Sequence, residues 1–460
     1  MDWKHLFNPN RIGVDYVKEI DLDTTRSSFV KDYDRILFSA PFRKLQNKTQ
    51  VFPLTDNIFV HNRLTHSLET ASVGRTLGRD VGQLIADKYH SDDKVFQHFY
   101  RNELQHVVSA ACLSHDIGNP PFGHAGEVAI SEYFRNLTGD LQSRIKNEVS
   151  DLQWAELCHF EGNANGFRIL THNFNNATGG EFKLTFSTLA AMVKYPCLAD
   201  VGNNKSTGLI STKKYNSFES EWHFWKQLSQ GLNTPEMSIS NVYARHPFVY
   251  LVEAADDICY LIIDLEDAHR LKIISHQETV DHLIGLLNAF AENDAEKEAS
   301  YQKALDKIDA PEQKVAYLRA LLIHAAINEC VKTFMKHEKE LLAGNLQEPL
   351  TNLFHQDLND KWRALQSFSF KNIYSHSIVM EREMAGYKIL QGLLGEFIDG
   401  LFLKNSMRSK QLASLIPYAY RNLNDNQNLY LNIRSILDFI SAMTDQEAID
   451  LFRLLKGIQV

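Results

Sequence analysis

HPFVYLVEAADDICYLIIDLEDAHRL, residues 246–271, decides the fold. Leu251, Ile258 and Leu265 stand seven residues apart, and Ala254 and Leu261 lie beside that row. This is the spacing of one helix face. Within the apolar run, Asp256, Tyr260 and Asp264 recur every four residues. Each step drifts only about 40° around a helix, so the three form a polar stripe. An unpaired carboxylate on such a helix is costly. Asp256 therefore calls for a partner, with a solvated face for Asp256 and Asp257 as the bland alternative.

The helical spacing extends to both sides. Residues 66–90 and 102–119 read as helices, the second stopped by Gly118, Pro120 and Pro121. Further helices are expected over 316–343, 372–397 and 430–441. TFSTLAAMVKYP (185–196) fits strand or helix. The Gly, Asn, Ser and Lys of 199–217 indicate a mobile loop. An irregular segment at 343–360 divides a region 1–342 from a C-terminal helical region 343–460. The expected fold class is all-α. A hydrophobic content of 44% supports a substantial core. The net charge of −9 excludes bulk basicity but leaves room for a local phosphate pocket. The five cysteines are widely spaced and odd in number, which favours reduced thiols. No apolar run is long enough for a membrane span, and the opening residues carry no signal-type apolar core. A cytoplasmic location is expected. No Gly-rich phosphate loop occurs, so a triphosphate would rely on side chains and metal.

LSHDIGNPPFGHAGE (113–127) holds the densest chemistry. His115 and Asp116 offer an imidazole and a carboxylate where a helix ends. His66 and Asp256, on other helices, would complete a set of two imidazoles and two carboxylates. That mixture suits manganese, iron, magnesium, nickel or zinc without choosing among them. Residue chemistry alone leaves a metal site and a capped break between helices both open. If PFGHAGE begins a helix, His124 and Glu127 share a face, as a reacting pair or as a surface ion pair. Arg63, three residues before His66, would approach the same place, and its planar fork suits a phosphate.

Beyond these residues, five segments carry a resemblance: FSAPFRKLQNKTQVF (38–52), NRLTHSLETASVGR (62–75), LSHDIGNPPFGHAGE (113–127), FEGNANGFRIL (160–170) and RHPFVYLVEAADDICY (245–260). In this order the chain resembles the deoxyguanosine triphosphate triphosphohydrolase (dGTPase) family of the HD-domain superfamily. The superfamily pattern of a histidine, a His-Asp pair and a distant aspartate falls on His66, His115, Asp116 and Asp256. EREMAGYKILQGLL (381–394) is similar too, more weakly.

The resemblance implies an HD-domain phosphohydrolase core with an additional C-terminal helical region. It implies water attack on the alpha phosphorus of dGTP, or of dNTPs more broadly, releasing a deoxynucleoside and intact triphosphate. One divalent ion per site follows, Mn2+ or Mg2+ first, with Fe2+, Ni2+, Co2+ or Zn2+ as alternatives. His66, His115, Asp116 and Asp256 would bind it. His124 would act at the phosphate, held by Glu127. Arg63 and Lys194 are the phosphate candidates, Tyr260 and Asp264 the sugar candidates. Asn163 matches the family's EGNA segment, whereas Asn165 stands where Gln is more usual. Gln46 is a base or sugar candidate, with Gln50 close by, and Tyr387 is a candidate for the nucleoside pocket. His61 lies too near the start of the His66 segment to serve as a metal ligand, with a substrate contact as its alternative role. Homo-oligomers, including hexamers, and allosteric dNTP or single-stranded DNA are implied partners. The rival readings are another HD nucleotidase and a nucleic-acid-regulated sensor with a secondary hydrolase site.

Overall fold

The computed structural model describes residues 1–14, 20, 22, 26–52, 59–172, 174, 182–292, 294–403, 406–421 and 428–458. Helices account for the architecture, and pairing between extended segments among the described residues is confined to isolated bridges such as Thr49–Asn62. The all-α expectation holds. No helix among the described residues is long and apolar enough to cross a membrane.

The helix that decided the fold runs Pro247–Arg270, with Pro247 at its first position and the His246 side chain accepting from the Phe248 N–H. Both features suit a helix start, where the first N–H groups lack intrahelical partners. It is buried along nearly its whole length. It packs against the helices Arg63–Lys88 and Pro311–Lys336. Arg63–Lys88 in turn lies along Leu104–Ser114 in an extensive, close contact. The reason is a row of glycines at four-residue spacing. A Cβ on Gly74 would stand 2.5 Å from Cys112 Sγ, and one on Gly82 would stand 2.1 Å from the Tyr100 carbonyl. Only a bare backbone allows this approach.

TFSTLAAMVKYP resolves as a helix, Phe186–Met192, whose Thr185 cap accepts from the Thr188 N–H. Its extended exit at Val193 sets up Lys194. The 316–343 expectation becomes two helices, Pro311–Lys336 and Glu338–Ala343, and the last two expected helices are Ser377–Phe402 and Leu429–Ser441. Between residues 199 and 217 the only helical pieces are short 3-10 turns, as the loop composition suggests. The helix expected over 102–119 stops at Ser114 instead. From there the chain turns in three-residue steps, with Ile117 N–H on the Ser114 carbonyl and Asn119 N–H on the Asp116 carbonyl. His115 and Asp116 thus sit beyond the regular helix, which frees their side chains from its 100° rotation.

Two apolar clusters fill the interior. The first unites the N-terminal segment with the long helices and extends through Trp362 to Val379. The second joins Ala129, Ile130 and Phe134 of the Gly123–Arg135 helix to Leu390, Leu393 and Leu394 of the Ser377–Phe402 helix. The turn after His115 lies where these bodies meet. Gly118 is the contact point: a Cβ there would lie 2.1 Å from both the Gly162 carbonyl and the Gly166 nitrogen. We expect Gly118→Ala to destabilise the fold by about 3 kcal/mol, because rigid backbone stands on the other side. Denaturant titration measures this, and a loss below about 0.5 kcal/mol would contradict the packing.

Candidate active site

His66 enters on the first turn of the Arg63–Lys88 helix, whose start is fixed by a reciprocal cap between Asn62 and Thr65. Asp256 comes from the third turn of Pro247–Arg270, and His115 from the turn after Ser114. One ligand atom from each of His66, His115 and Asp256 lies within 4.8 Å of the others. The Asp256 Oδ1 is 3.2 Å from His66 Nε2 and 3.4 Å from His115 Nε2. His115 Nδ1 lies 2.7 Å from the Cys112 carbonyl. A carbonyl only accepts, so Nδ1 carries the proton and Nε2 is the free donor atom. Two imidazoles and a carboxylate with their lone pairs converging fit a divalent ion.

Asp116 stands at the edge of this group. Its Oδ1 is 3.6 Å from His115 Nε2 and accepts from Asn119 Nδ2 at 2.6 Å, while Oδ2 accepts from Arg63 Nη1 at 2.6 Å. Burial works against its charge, but Arg63, His115 and His66 outweigh burial and hold the carboxyl down at about 2. Asp256 is held well below the usual carboxylate range, burial again being overcome, here first by Lys194. Lys194 Nζ donates to Asp256 Oδ2 at 2.9 Å. Both phosphate candidates, Arg63 and Lys194, are therefore gathered at the acidic members of the cluster. His61 is not: its two ring nitrogens face Asp267 at 2.9 Å and Glu69 at 3.1 Å.

The second group begins where the chain turns back. Phe122 (φ 62°) and Gly123 (φ 57°) are both left-handed, and they redirect the chain into the Gly123–Arg135 helix. A Cβ on Gly123 would lie 2.5 Å from Arg63 Nη2. One guanidinium thus touches Asp116 on one side and the His124 turn on the other. His124 Nδ1 lies 2.9 Å from Glu127 Oε2. Glu127's other oxygen accepts the Gly162 N–H at 2.7 Å. The imidazole is 78% exposed above a carboxylate that is 9% exposed. The hydrogen bond to Glu127 is the main cause that raises the proton affinity of His124, against some burial. Glu127 itself is lowered: burial opposes its charge, while His124 and Lys214 favour it. Beside it, Glu161 accepts from Asn163 Nδ2 at 2.6 Å and pairs with Lys214 at 3.2 Å. Lys214 belongs to the 199–217 segment whose composition indicates a mobile loop, and nothing in its local sequence announces this placement. Two neighbouring buried glutamates are the reason for it.

The third group continues the polar stripe. Tyr374 stacks on Tyr260, ring centroids 5.3 Å apart and planes at 27°, and its hydroxyl donates to Asp264 Oδ2 at 2.8 Å. Asp264 is 2% exposed, and burial raises its carboxyl well above the ordinary range. Tyr374 ends a π-helical turn, Phe370–Tyr374. Sequence reading placed Tyr374 in an expected helix, 372–397, but not at the site, because nothing local ties it to Tyr260 and Asp264, more than a hundred residues earlier. Of the remaining candidates, Gln46 is exposed, whereas the Oε1 of Gln50 is buried with no hydrogen-bond partner. Tyr387 donates to Glu132 at 2.7 Å and accepts from Gln391, so its hydroxyl braces one helix against another. Neither Gln46 nor Tyr387 makes a polar contact with the three groups above.

Against known families, residues 63–179 match the HD domain, and residues 353–454 match a phosphohydrolase-associated domain. The chain is 34% identical, over the whole of both chains, to the deoxyguanosinetriphosphate triphosphohydrolase-like protein of Synechocystis. A protein of the same description from Pseudomonas aeruginosa is also 34% identical, over 99% of each chain, and one from Listeria innocua is 32% identical over the whole of both. The chain belongs to the dGTPase family of the HD superfamily. It is thus an HD-domain phosphohydrolase. The HD match begins at Arg63 and contains His66, His115, Asp116, His124 and Glu127. Asp256 lies outside it in sequence and is brought to His66 and His115 by the packing of Pro247–Arg270 on Arg63–Lys88 and Leu104–Ser114.

Proposed function

We propose that this phosphohydrolase cleaves dGTP, and other dNTPs to a lesser degree, at the alpha phosphorus, releasing the deoxynucleoside and inorganic triphosphate. The observation that carries this reading is the pairing of two dissimilar groups through Arg63: a convergent His66–His115–Asp256 cluster, and an exposed imidazole on a buried carboxylate. His66, His115, Asp116 and Asp256 are the residues that would hold a divalent ion, Mn2+ or Mg2+ by preference. When bound, such an ion supplies charge neutralisation at a phosphate oxygen and lowers the pKa of water.

The rest is done by the chain. Phosphoryl transfer depends on positioning and charge more than on covalent chemistry. Arg63 and Lys194 bring two cations to the site, where they neutralise a polyphosphate. Lys214 adds a third on the His124 side. His124 transfers the proton at the reacting phosphate, and Glu127 fixes its ring through Nδ1, leaving Nε2 to face the substrate. Tyr260 and Tyr374 present a flat aromatic wall for the deoxyribose, with Asp264 positioned for the 3′-hydroxyl. Asn163, fixed by Glu161, is a further polar contact. We propose the division into 1–342 and 343–460 as one of sequence regions within a single globule, since residues 346–379 pack in the first apolar cluster.

A nucleotide panel with defined metals tests the assignment, with nucleoside and triphosphate followed separately. Intact triphosphate in equal amount to deoxyguanosine is expected; stepwise release of phosphate would overturn it. A second test uses pH. Glu127 raises the proton affinity of His124, so Glu127→Gln lets it fall toward its ordinary value of about 6.5. The limb of the kcat/KM profile that reports His124 therefore moves to lower pH. An unmoved limb would dissociate the pair from the reaction.

A further inference from the structure

A cavity of about 190 Å³ lies against the turn that follows Asp116. Ile117 forms part of its wall, with Ile169, Ala442 and the edge-to-face pair Phe174–Tyr420. Its lining shares no residue with the His66–His115–Asp256 cluster or with His124 and Glu127.

Two polar side chains in this apolar wall have unused capacity. Asn165 is 1% exposed. Its Nδ2 donates to the Gly118 carbonyl at 2.8 Å and to Ser441 Oγ at 3.3 Å, while Oδ1 has no hydrogen-bond partner. The amide is not free to flip, because the Gly118 carbonyl only accepts and requires the nitrogen. A buried acceptor without a donor is costly, and natural structures rarely leave one. Lys48, also buried, donates to the Asn119 carbonyl at 2.6 Å and the Ser441 carbonyl at 2.7 Å. Burial draws the pKa of Lys48 down to about 7; below that pH the side chain is an ammonium with three donors, so one remains. Both side chains converge on Ser441. The other charged groups of the lining are satisfied: Asp438 is held by Arg168 and Arg434, and Lys44 by Glu447.

We propose that this cavity binds a planar cyclic lactam of nucleobase size, its ring N–H donating to Asn165 Oδ1 and its carbonyl accepting from Lys48. The chemistry is complementary on each count. Apolar walls and an aromatic edge suit a flat ring. One orphan acceptor beside one spare donor matches an N–H next to a C=O. An apolar cavity of about 150 Å³ takes benzene, so this one takes a ring system but not a sugar and triphosphate. Asn165 and Lys48 already hold the carbonyls of Gly118 and Asn119, so an occupant that engages both braces the turn carrying His115 and Asp116. The site goes beyond the proposed hydrolysis and does not depend on it.

Isothermal titration calorimetry on the full chain at about pH 6, below the Lys48 pKa of about 7, with no metal or nucleotide, tests the proposal with hypoxanthine as probe. Saturable binding is expected with Kd below about 1 mM. 1-Methylhypoxanthine, which lacks the ring N–H beside the carbonyl, should bind about tenfold more weakly. Ala442→Leu fills the cavity and should abolish binding. Ile169→Phe fills it from another wall and serves if the first variant melts early. Tyr260→Ala should retain binding. No heat with hypoxanthine, equal affinity for the methylated base, or binding that survives both filling variants would overturn the proposal. So would loss in Tyr260→Ala alone, which would place the base in the nucleoside pocket.

Discussion

Asp256→Asn is expected to weaken divalent-metal binding by more than about 100-fold and to lower turnover about 10³-fold. Asp256 supplies the only carboxylate among the three groups that converge within 4.8 Å. Its Oδ1 faces both imidazoles, and its Oδ2 holds Lys194. An amide keeps the shape and loses the charge. It also leaves Lys194, whose side chain is 13% exposed, without its counter-charge. Breaking a buried pair by removing one partner destabilises by about 3 kcal/mol. Unfolding and ligand loss must therefore be separated. The double variant Asp256→Asn with Lys194→Met removes the stranded cation. It should recover most of the thermal stability and none of the metal affinity. Metal titration and thermal melts on both variants make the comparison. Recovery of metal binding in the double variant would show that Asp256 acts through the fold and not as a ligand.

His124→Ala is expected to behave in the opposite way. Turnover falls by about 10² to 10⁴, while metal affinity changes by less than about twofold and the melting temperature holds. The imidazole is 78% exposed, and its one strong polar partner is Glu127 Oε2. Removing it opens no cavity in the core. Glu127 keeps its bond from the Gly162 N–H, so the carboxylate remains anchored. The loss should fall on kcat with little change in KM, because the proton is moved in the transition state. Metal loss alongside activity loss, or a fall in kcat under tenfold, would remove His124 from the reaction. Together the two variants divide the site into a part that holds the ion and a part that moves the proton.

Much of this was legible in one dimension. Helix-spaced apolar residues in 246–271 report burial, and burial on a 3.6-residue period means helix. The breaks at Gly118, Pro120 and Pro121 report a change of direction through backbone chemistry alone. His124 and Glu127 were legible as a pair because three residues on a helix bring side chains to one face. Where sequence reading fell short, the missing quantity was tertiary. The helix before His115 ended earlier than the apolar pattern, because turn bonds at Ser114 and Asp116 replaced helical ones. The strand-or-helix ambiguity over 185–196 arose from a short run whose apolar residues follow neither period clearly. Packing settled it: the whole Phe186–Met192 helix is buried.

The sequence by itself determined the helical class, the residue types of the site and the local pairs, since each rests on spacing along one element. It also carried enough family pattern to set the superfamily. Tertiary structure alone decided which distant groups meet. His66, His115 and Asp256 come from three separate segments, and only the glycine-lined approach of the first two and the packing of Pro247–Arg270 bring their ligand atoms together. Tyr374 beneath Asp264, Lys214 beside Glu161, and Lys48 with Asn165 around a cavity belong to the same class. A buried charge or polar atom must find its partner wherever the chain has placed one, and that partner's position along the sequence follows no local rule.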